Sequence, residues 1–216
     1  MPAEHVESPD QIRARVEAAV PGAQLTLEPN PAVPGQSSLV VDRQHAVAVG
    51  RILRDTEGLR FDYCANVTGV DWLAATTQEK VRVRKVVEGV EKEVEETVER
   101  RRPARLEAVY HLYSMALKHG PLVLRQRTGN RADDACLTSL TPVWRSAEFQ
   151  EREIFDLFGV VFEGHPDLRR ILMWDEFQDF PMRKDYVEPD DYEYEPTPHD
   201  DVLEKARRHY PVEGRP

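Results

Sequence analysis

The fold is decided by the stretch EREIFDLFGVVFEGHPDLRRILM at residues 151–173, which mixes charged groups of both signs with large apolar side chains. Within it, Ile154 and Phe158 recur at the spacing of one helix face. Ser146 precedes this run and Gly159 follows it, and these residue types are preferred at the two ends of a helix. The pattern therefore predicts a helix between Ser146 and Gly159 that packs one apolar face on the rest of the protein.

The polar side of this helix carries a row of charges. Glu148, Arg152 and Asp156 stand four residues apart, so they are expected to stack and pair with one another. Glu151 and Glu153 flank the row. Two carboxylates acting as general acid and base would need a cleft and shifted pKa values. The spacing favours an ion-paired helix rim instead.

A polar loop follows the helix. Pro166 holds His165 in an extended conformation, and Asp167 lies two residues further on, so the histidine is a candidate base or metal ligand. The remaining histidines are scattered along the chain, which argues against a metal site. Arg169 and Arg170 present rigid guanidinium groups that suit the carboxylates of another protein or of a substrate.

Two further helices are predicted near the N-terminus. The first is capped by Ser8 or Asp10 and is stopped by a Pro-Gly pair. The second takes Asp42 as its N-cap, and Val49 and Leu53 lie on its apolar face.

The middle of the chain is predicted to consist mainly of strands. Strands are predicted at 37–41 and at 61–72, the latter with a turn at Gly69. Segments 106–117 and 121–129 alternate in polarity and are predicted to form an antiparallel pair joined at residues 119–121. The fold class is therefore α+β, with a mostly antiparallel sheet, N-terminal helices and a helix packed back onto it.

Domain organisation follows from composition. Residues 1–180 are predicted to form a single α+β domain. Within it, 76–104 is a charged insertion whose valines fit a helix and whose alternation fits a strand, so that a long hairpin is one alternative. Residues 181–216 are acidic and rich in proline, and we expect an extended tail that docks on partner subunits.

Composition excludes several function classes. A net charge of −10 over 216 residues argues against a nucleic-acid partner. The 2 cysteines form no CxxC pair, and no apolar run approaches the roughly 20 residues that span a bilayer. The chain also lacks phosphate-binding and nucleophile motifs. We therefore expect no catalytic residue, bound cofactor or metal in this chain.

The motif at 151–173, followed by PMRKDY at 181–186, resembles the signature of the 30-kDa subunit (the C-type subunit) of NADH:quinone oxidoreductase, respiratory complex I. YHLYSMAL at 110–117 is similar to an earlier strand of that family. The resemblance implies a peripheral-arm subunit without a redox centre, on the cytoplasmic side of the cell inner membrane. FMN and iron–sulfur clusters would lie in partner subunits. The chief partners would be the D-type subunit, which helps to form the quinone site, and the iron–sulfur subunits.

On this basis the charged residues of the motif are predicted to form a subunit interface. The predicted interface residues are Glu151, Arg152, Glu153, Asp156, His165, Asp167, Arg169, Arg170, Arg183, Lys184 and Asp185.

Two alternatives stay open. A related subunit of a membrane-bound hydrogenase or a formate-linked complex has the same ancestry. A free hydrolase would use Glu151 or Glu153 together with His165.

Overall fold

The computed structural model describes residues 7–30, 33–87, 90–177 and 179–187. The chain divides into two compact units, Met1–Lys184 and Asp185–Pro216. All the helices and strands given below belong to the first unit. Of the predicted tail, residues 188–216 lie outside the described residues.

The first unit contains helices and strands in mixed order. The helices are α1 (Pro9–Ala19), α2 (Ala46–Asp55) and α3 (Ala147–Phe158). The strands are β1 (Leu25–Pro29), β2 (Ser37–Val41), β3 (Tyr63–Trp72), β4 (Ala75–Val87), β5 (Val90–Arg102), β6 (Arg105–Ser114), β7 (His119–Arg127), β8 (Cys136–Thr138) and β9 (Val161–Glu163).

The main sheet has five strands in the order β1-β2-β7-β6-β3. Only the β2–β7 pair in this sheet is parallel, and the other neighbours are antiparallel. Short strands β8 and β9 pair in parallel beside it. The predicted α+β class with a mostly antiparallel sheet is confirmed.

The charged segment whose conformation the sequence left open is a β-hairpin. Strands β4 and β5 pair antiparallel from Ala75–Arg102 at the base to Val87–Val90 at the tip. Period-2 alternation therefore prevails over the helical spacing of the valines, and alternate residue pairs form backbone hydrogen bonds across the antiparallel ladder.

One apolar core joins the three helices to one face of the sheet. The buried side chains include Val16 of α1, Leu53 of α2 and Ile154 of α3. They pack in one cluster with Leu39, Leu106, Tyr110 and Leu124 from the sheet strands.

The helix starts agree only in part with the sequence. Ser8 caps α1 with a complete capping box, as predicted. Helix α2 begins after His45 and has no side-chain cap, so the prediction of Asp42 as N-cap is wrong. Asp42 instead accepts hydrogen bonds from the backbone N–H groups of Gln24 at 2.8 Å and His45 at 3.2 Å. A turn separates Asp42 from the helix, and its carboxylate ties that turn to the chain just before β1.

Two predicted turns are misplaced. Gly69 lies inside strand β3, where Phe158 of α3 packs so closely that a Cβ would fall 2.6 Å from its Cδ2 atom. Glycine thus allows the helix to approach the strand. The β6–β7 turn ends at Lys118, which has a φ of 57°, and His119 already belongs to β7.

Candidate interface site around helix α3

The charged residues of α3 are mostly buried inside the chain. Glu151 and Asp156 are fully buried and Arg152 is nearly so. The predicted row of ion pairs does not form. Glu148 lies 3.8 Å from Arg145, and Arg152 and Asp156 pair with the loop that follows the helix. The loop folds over this face of α3 and supplies partners that the helix spacing does not show.

Asp156 binds the backbone of this loop. Its Oδ2 atom accepts the N–H groups of Ile171, Leu172 and Met173 at 3.0, 2.7 and 2.9 Å. Its Oδ1 atom accepts from Arg170 at 2.7 Å. Burial opposes ionisation of the carboxyl, but these backbone bonds and the guanidinium outweigh it and lower the pKa of Asp156.

Arg152 binds the preceding part of the loop. Its guanidinium donates to the carbonyl oxygens of Arg169 at 3.1 Å and Arg170 at 3.2 Å, and it lies 3.6 Å from an Asp167 carboxylate oxygen. Arg152 and Asp156 stand one helical turn apart. They therefore fix consecutive parts of residues 169–173 in one conformation.

His165 has both ring nitrogens engaged. Its Nδ1 atom accepts from the backbone N–H of Asp167 at 3.1 Å, so Nε2 carries the proton and donates to the carbonyl of Glu148 at 2.9 Å. The imidazole links the loop to the first turn of α3. Among the described residues, no group of three His, Cys, Asp or Glu side chains is placed to hold a metal.

Glu151 points into the core. It accepts hydrogen bonds from the Tyr110 hydroxyl at 2.9 Å, the Ser139 hydroxyl at 2.6 Å and the Leu140 N–H at 2.8 Å. Burial is the main effect on its carboxyl and raises the pKa of Glu151, although these donors act against it. Glu151 thus fastens α3 to β6 and to the segment after β8.

Arg183 and Lys184, from the PMRKDY segment at 181–186, anchor the end of the first unit. Arg183 donates to the carbonyls of Phe158 at 2.7 Å and Arg131 at 2.9 Å. The backbone N–H of Lys184 donates to Asp71 at 2.8 Å. The Lys184 side chain is exposed, as is Asp185, which belongs to the second unit.

The sequence did not predict the partners of Arg183 and Lys184, which are Arg131 and Asp71. Asp71 is buried and forms a two-pronged ion pair with Arg131, with both contacts at 2.7 Å. The two residues are 60 positions apart, so no local pattern reveals the pair. A second buried charge, Glu107, was also missed. It lies 2.9 Å from Arg105 and 2.8 Å from Arg127 on the main sheet.

The outer surface of this region combines exposed charges with exposed apolar groups. Glu153 and Arg169 are exposed, and Arg169 lies 3.0 Å from Asp167. The sequence did not single out the apolar side chains beside them. The exposed ones in this region are Phe149, Ile171, Leu172, Trp174 and Met182.

Comparison with known protein families identifies the family of this chain. Residues 39–192 match the family model described as respiratory-chain NADH dehydrogenase, 30 Kd subunit. The chain belongs to this family. The match covers α2 and α3, every strand from β3 onward, and the whole signature at 151–173.

Curated relatives in the 30-kDa family are named as the C-type subunit of NADH-quinone oxidoreductase. The protein from Saccharopolyspora erythraea is 38% identical over 152 residues, which cover 70% of this chain and 49% of that protein. The protein from Roseiflexus castenholzii is 34% identical over 174 residues and 81% of each chain. The chain spans between 49% and 60% of the length of the first three relatives.

A solved structure of a trypsin-resistant fragment of Nqo5 is 25% identical, with a TM-score of 0.44, and the alignment covers 75% of this chain and 100% of the fragment. Within the described part of this 30-kDa family member, no helix has both the length and the apolar content needed to cross a bilayer.

Proposed function

We propose that this protein is a non-redox structural subunit of the peripheral arm of a type I NADH:quinone oxidoreductase. It docks on the subunit that helps to form the quinone site and supports electron transfer from NADH to quinone coupled to proton translocation. Membership of the 30-kDa subunit family and the names of the curated relatives support this assignment.

The proposed structural role is supported by the hydrogen bonds that the charged and polar residues of the signature make. The Asp156 carboxylate is occupied by four donors from residues 170–173, and both nitrogens of His165 bind the chain's own backbone. These groups fix a surface loop, and the chain itself supplies their hydrogen-bond partners. Such an arrangement suits a scaffold, because a preformed surface loses little conformational entropy on docking.

The proposed function also implies which subunits hold the cofactors and where the protein lies in the cell. FMN and iron–sulfur clusters would be held by partner subunits, and this chain would bind neither. The protein would lie peripherally on the cytoplasmic side of the cell inner membrane, held by its neighbours. Its partners would be the D-type quinone-site subunit and the iron–sulfur subunits.

The experiment is deletion and replacement of the chain in its own host. Membranes that lack the chain should lose NADH oxidation with a quinone analogue. Oxidation with a small hydrophilic acceptor, which takes electrons near the flavin, should persist if the NADH-binding subunits remain. A tagged copy of the chain should restore quinone reduction and should be recovered with flavin- and iron–sulfur-containing subunits.

Unchanged quinone reduction after deletion would refute the proposal. Recovery of the tagged chain with hydrogenase or formate-oxidising subunits, and with no NADH-binding subunit, would also refute it.

A further inference from the structure

A patch of large apolar side chains is exposed around the end of the signature loop. Phe149 on α3 is 60% exposed, Leu172 61%, Trp174 44% and Ile171 39%. We call these four residues the outer patch. They lie on two segments that Arg152 links, and several large apolar side chains exposed on neighbouring segments mark an interaction surface more often than a single exposed residue does.

Buried side chains fix the backbone that carries the outer patch. Ile171 and Leu172 donate their backbone N–H groups to the buried Asp156 carboxylate, at 3.0 and 2.7 Å. Phe149 lies beside Arg152, whose guanidinium carbon is 5.6 Å from the ring centre and whose N–H groups bind the carbonyls of 169 and 170. One buried ion-paired cluster therefore displays both parts of the patch.

The rim of the outer patch is acidic. Glu153 is exposed one turn after Phe149 on α3, and Asp175 and Glu176 are exposed directly after Trp174. Two exposed cations lie nearby, and each has a carboxylate partner. Arg169 is paired with Asp167 at 3.0 Å, and Arg145, four residues before Phe149, lies 3.8 Å from Glu148. A surface with an apolar centre and an acidic rim is complementary to an apolar surface bordered by lysine or arginine.

We infer that the outer patch is the docking surface of this chain on another subunit, whose matching surface is apolar with a basic border. This inference rests on the proposed function and places the contact on the outside of the signature. The buried charges Arg152 and Asp156 then shape the surface without touching the partner. Leu172 and Phe149 supply the apolar contact.

The first test compares two exposed apolar residues at opposite edges of the sheet. Leu172→Ser alters the outer patch, next to α3 and the β3 edge. Val33→Ser alters a 48% exposed residue in the β1–β2 loop at the other edge. Each tagged full-length variant replaces the native copy, and the assembled oxidoreductase is solubilised and quantified by mass spectrometry.

We expect Leu172→Ser to lower retention of the chain by about tenfold, as for an apolar anchor at the centre of an interface. Val33→Ser should match wild type, and both purified variants should keep the wild-type circular dichroism spectrum. Equal retention of the two variants would overturn the inference.

The second test concerns the basic border. Glu153→Lys reverses an exposed helical acid beside the patch, and Glu17→Lys reverses an exposed acid on α1. Only Glu153→Lys should reduce retention, by about fivefold or more, because it opposes the partner's cations. Equal retention of the two variants would overturn the inference that the partner's surface has a basic border.

The occupant is identified by a photo-crosslinking residue placed at Phe149 in the assembled complex, with the same residue at Val33 as control. Crosslinks from position 149 should reach a protein segment that is apolar with lysine or arginine beside it. Crosslinks to lipid, to an acidic segment or to nothing would overturn the inference. Failure of the proposed function is separable, because the wild-type chain would then be recovered without NADH-binding subunits.

Discussion

Asp156 and Arg170 are 14 positions apart in the sequence, and their side chains meet at 2.7 Å in a buried ion pair. The carboxylate also accepts the backbone N–H groups of the three residues that follow Arg170. The pair therefore converts a long loop into a fixed surface, because the carboxylate binds the backbone and not only a flexible side chain.

Replacing Asp156 should destabilise the protein strongly. Asp156→Asn keeps the shape but removes the charge and one acceptor oxygen, which leaves Arg170 without its buried counter-ion. We expect a loss of about 3 kcal/mol in the free energy of unfolding, measured by urea denaturation. Asp175→Asn, at an exposed position just beyond the loop, should change it by less than about 0.5 kcal/mol. Equal effects would contradict the role given to Asp156.

The contribution of Asp156 should depend on pH. Its pKa is lower in the folded chain than in the unfolded chain, so the unfolded state binds more protons in the acid range and stability rises with pH there. The contribution should be complete above about pH 5 and should be lost as pH falls below about 3.9 toward the folded pKa. The stability gap between wild type and Asp156→Asn should therefore narrow as the pH is lowered from about 5 to about 3. A constant gap over this range would contradict the prediction.

Glu151 should show the opposite pH dependence. Burial raises the pKa of Glu151, so the folded state retains a proton that the unfolded state has lost, and this stabilisation is lost as pH rises through the folded pKa. Glu151→Gln cannot ionise. Its stability relative to wild type should therefore improve from about pH 4 to about pH 8, as measured by urea denaturation at each pH. If the difference in unfolding free energy instead shifts in favour of wild type as the pH rises, the ionised carboxylate is the stabilising form.

The contact between Gly69 and Phe158 should tolerate no extra methyl group. A Cβ at Gly69 would lie 2.6 Å from the Phe158 ring, so Gly69→Ala should cost about 1–3 kcal/mol of unfolding free energy. Phe158→Leu should recover part of this loss when it is combined with Gly69→Ala, because the smaller side chain relieves the overlap. The double-mutant cycle in thermal or urea unfolding measures this coupling. Additive losses would contradict the proposed contact.

Local patterns predicted the parts of the fold that depend on neighbouring residues. Apolar spacing located α1, α2 and α3, end residues such as Ser8 and Gly159 marked the limits of α1 and α3, and alternation located the β6–β7 pair. The predicted N-cap at Asp42 and the predicted turn at Gly69 are wrong because the roles of these residues depend on distant groups. Asp42 binds the backbone of Gln24, and Gly69 packs against Phe158. The hairpin at β4 and β5 could not be chosen over a helix, since valines fit both periods and only cross-strand pairing distinguishes them.

The sequence by itself determined the α+β class, the helix at the signature and the ancestry, because periodicity, capping residues and an ordered motif are all properties of the linear chain. Only the tertiary structure decided which charges of that motif lie inside and which face outward. Glu151, Arg152 and Asp156 are buried with their own loop and core as partners, and Glu153 and Arg169 remain exposed. Helix spacing gives the direction of a side chain relative to its neighbours on the helix. Whether that direction faces a folded-back loop, the core or solvent is fixed only when residues far apart in sequence pack together.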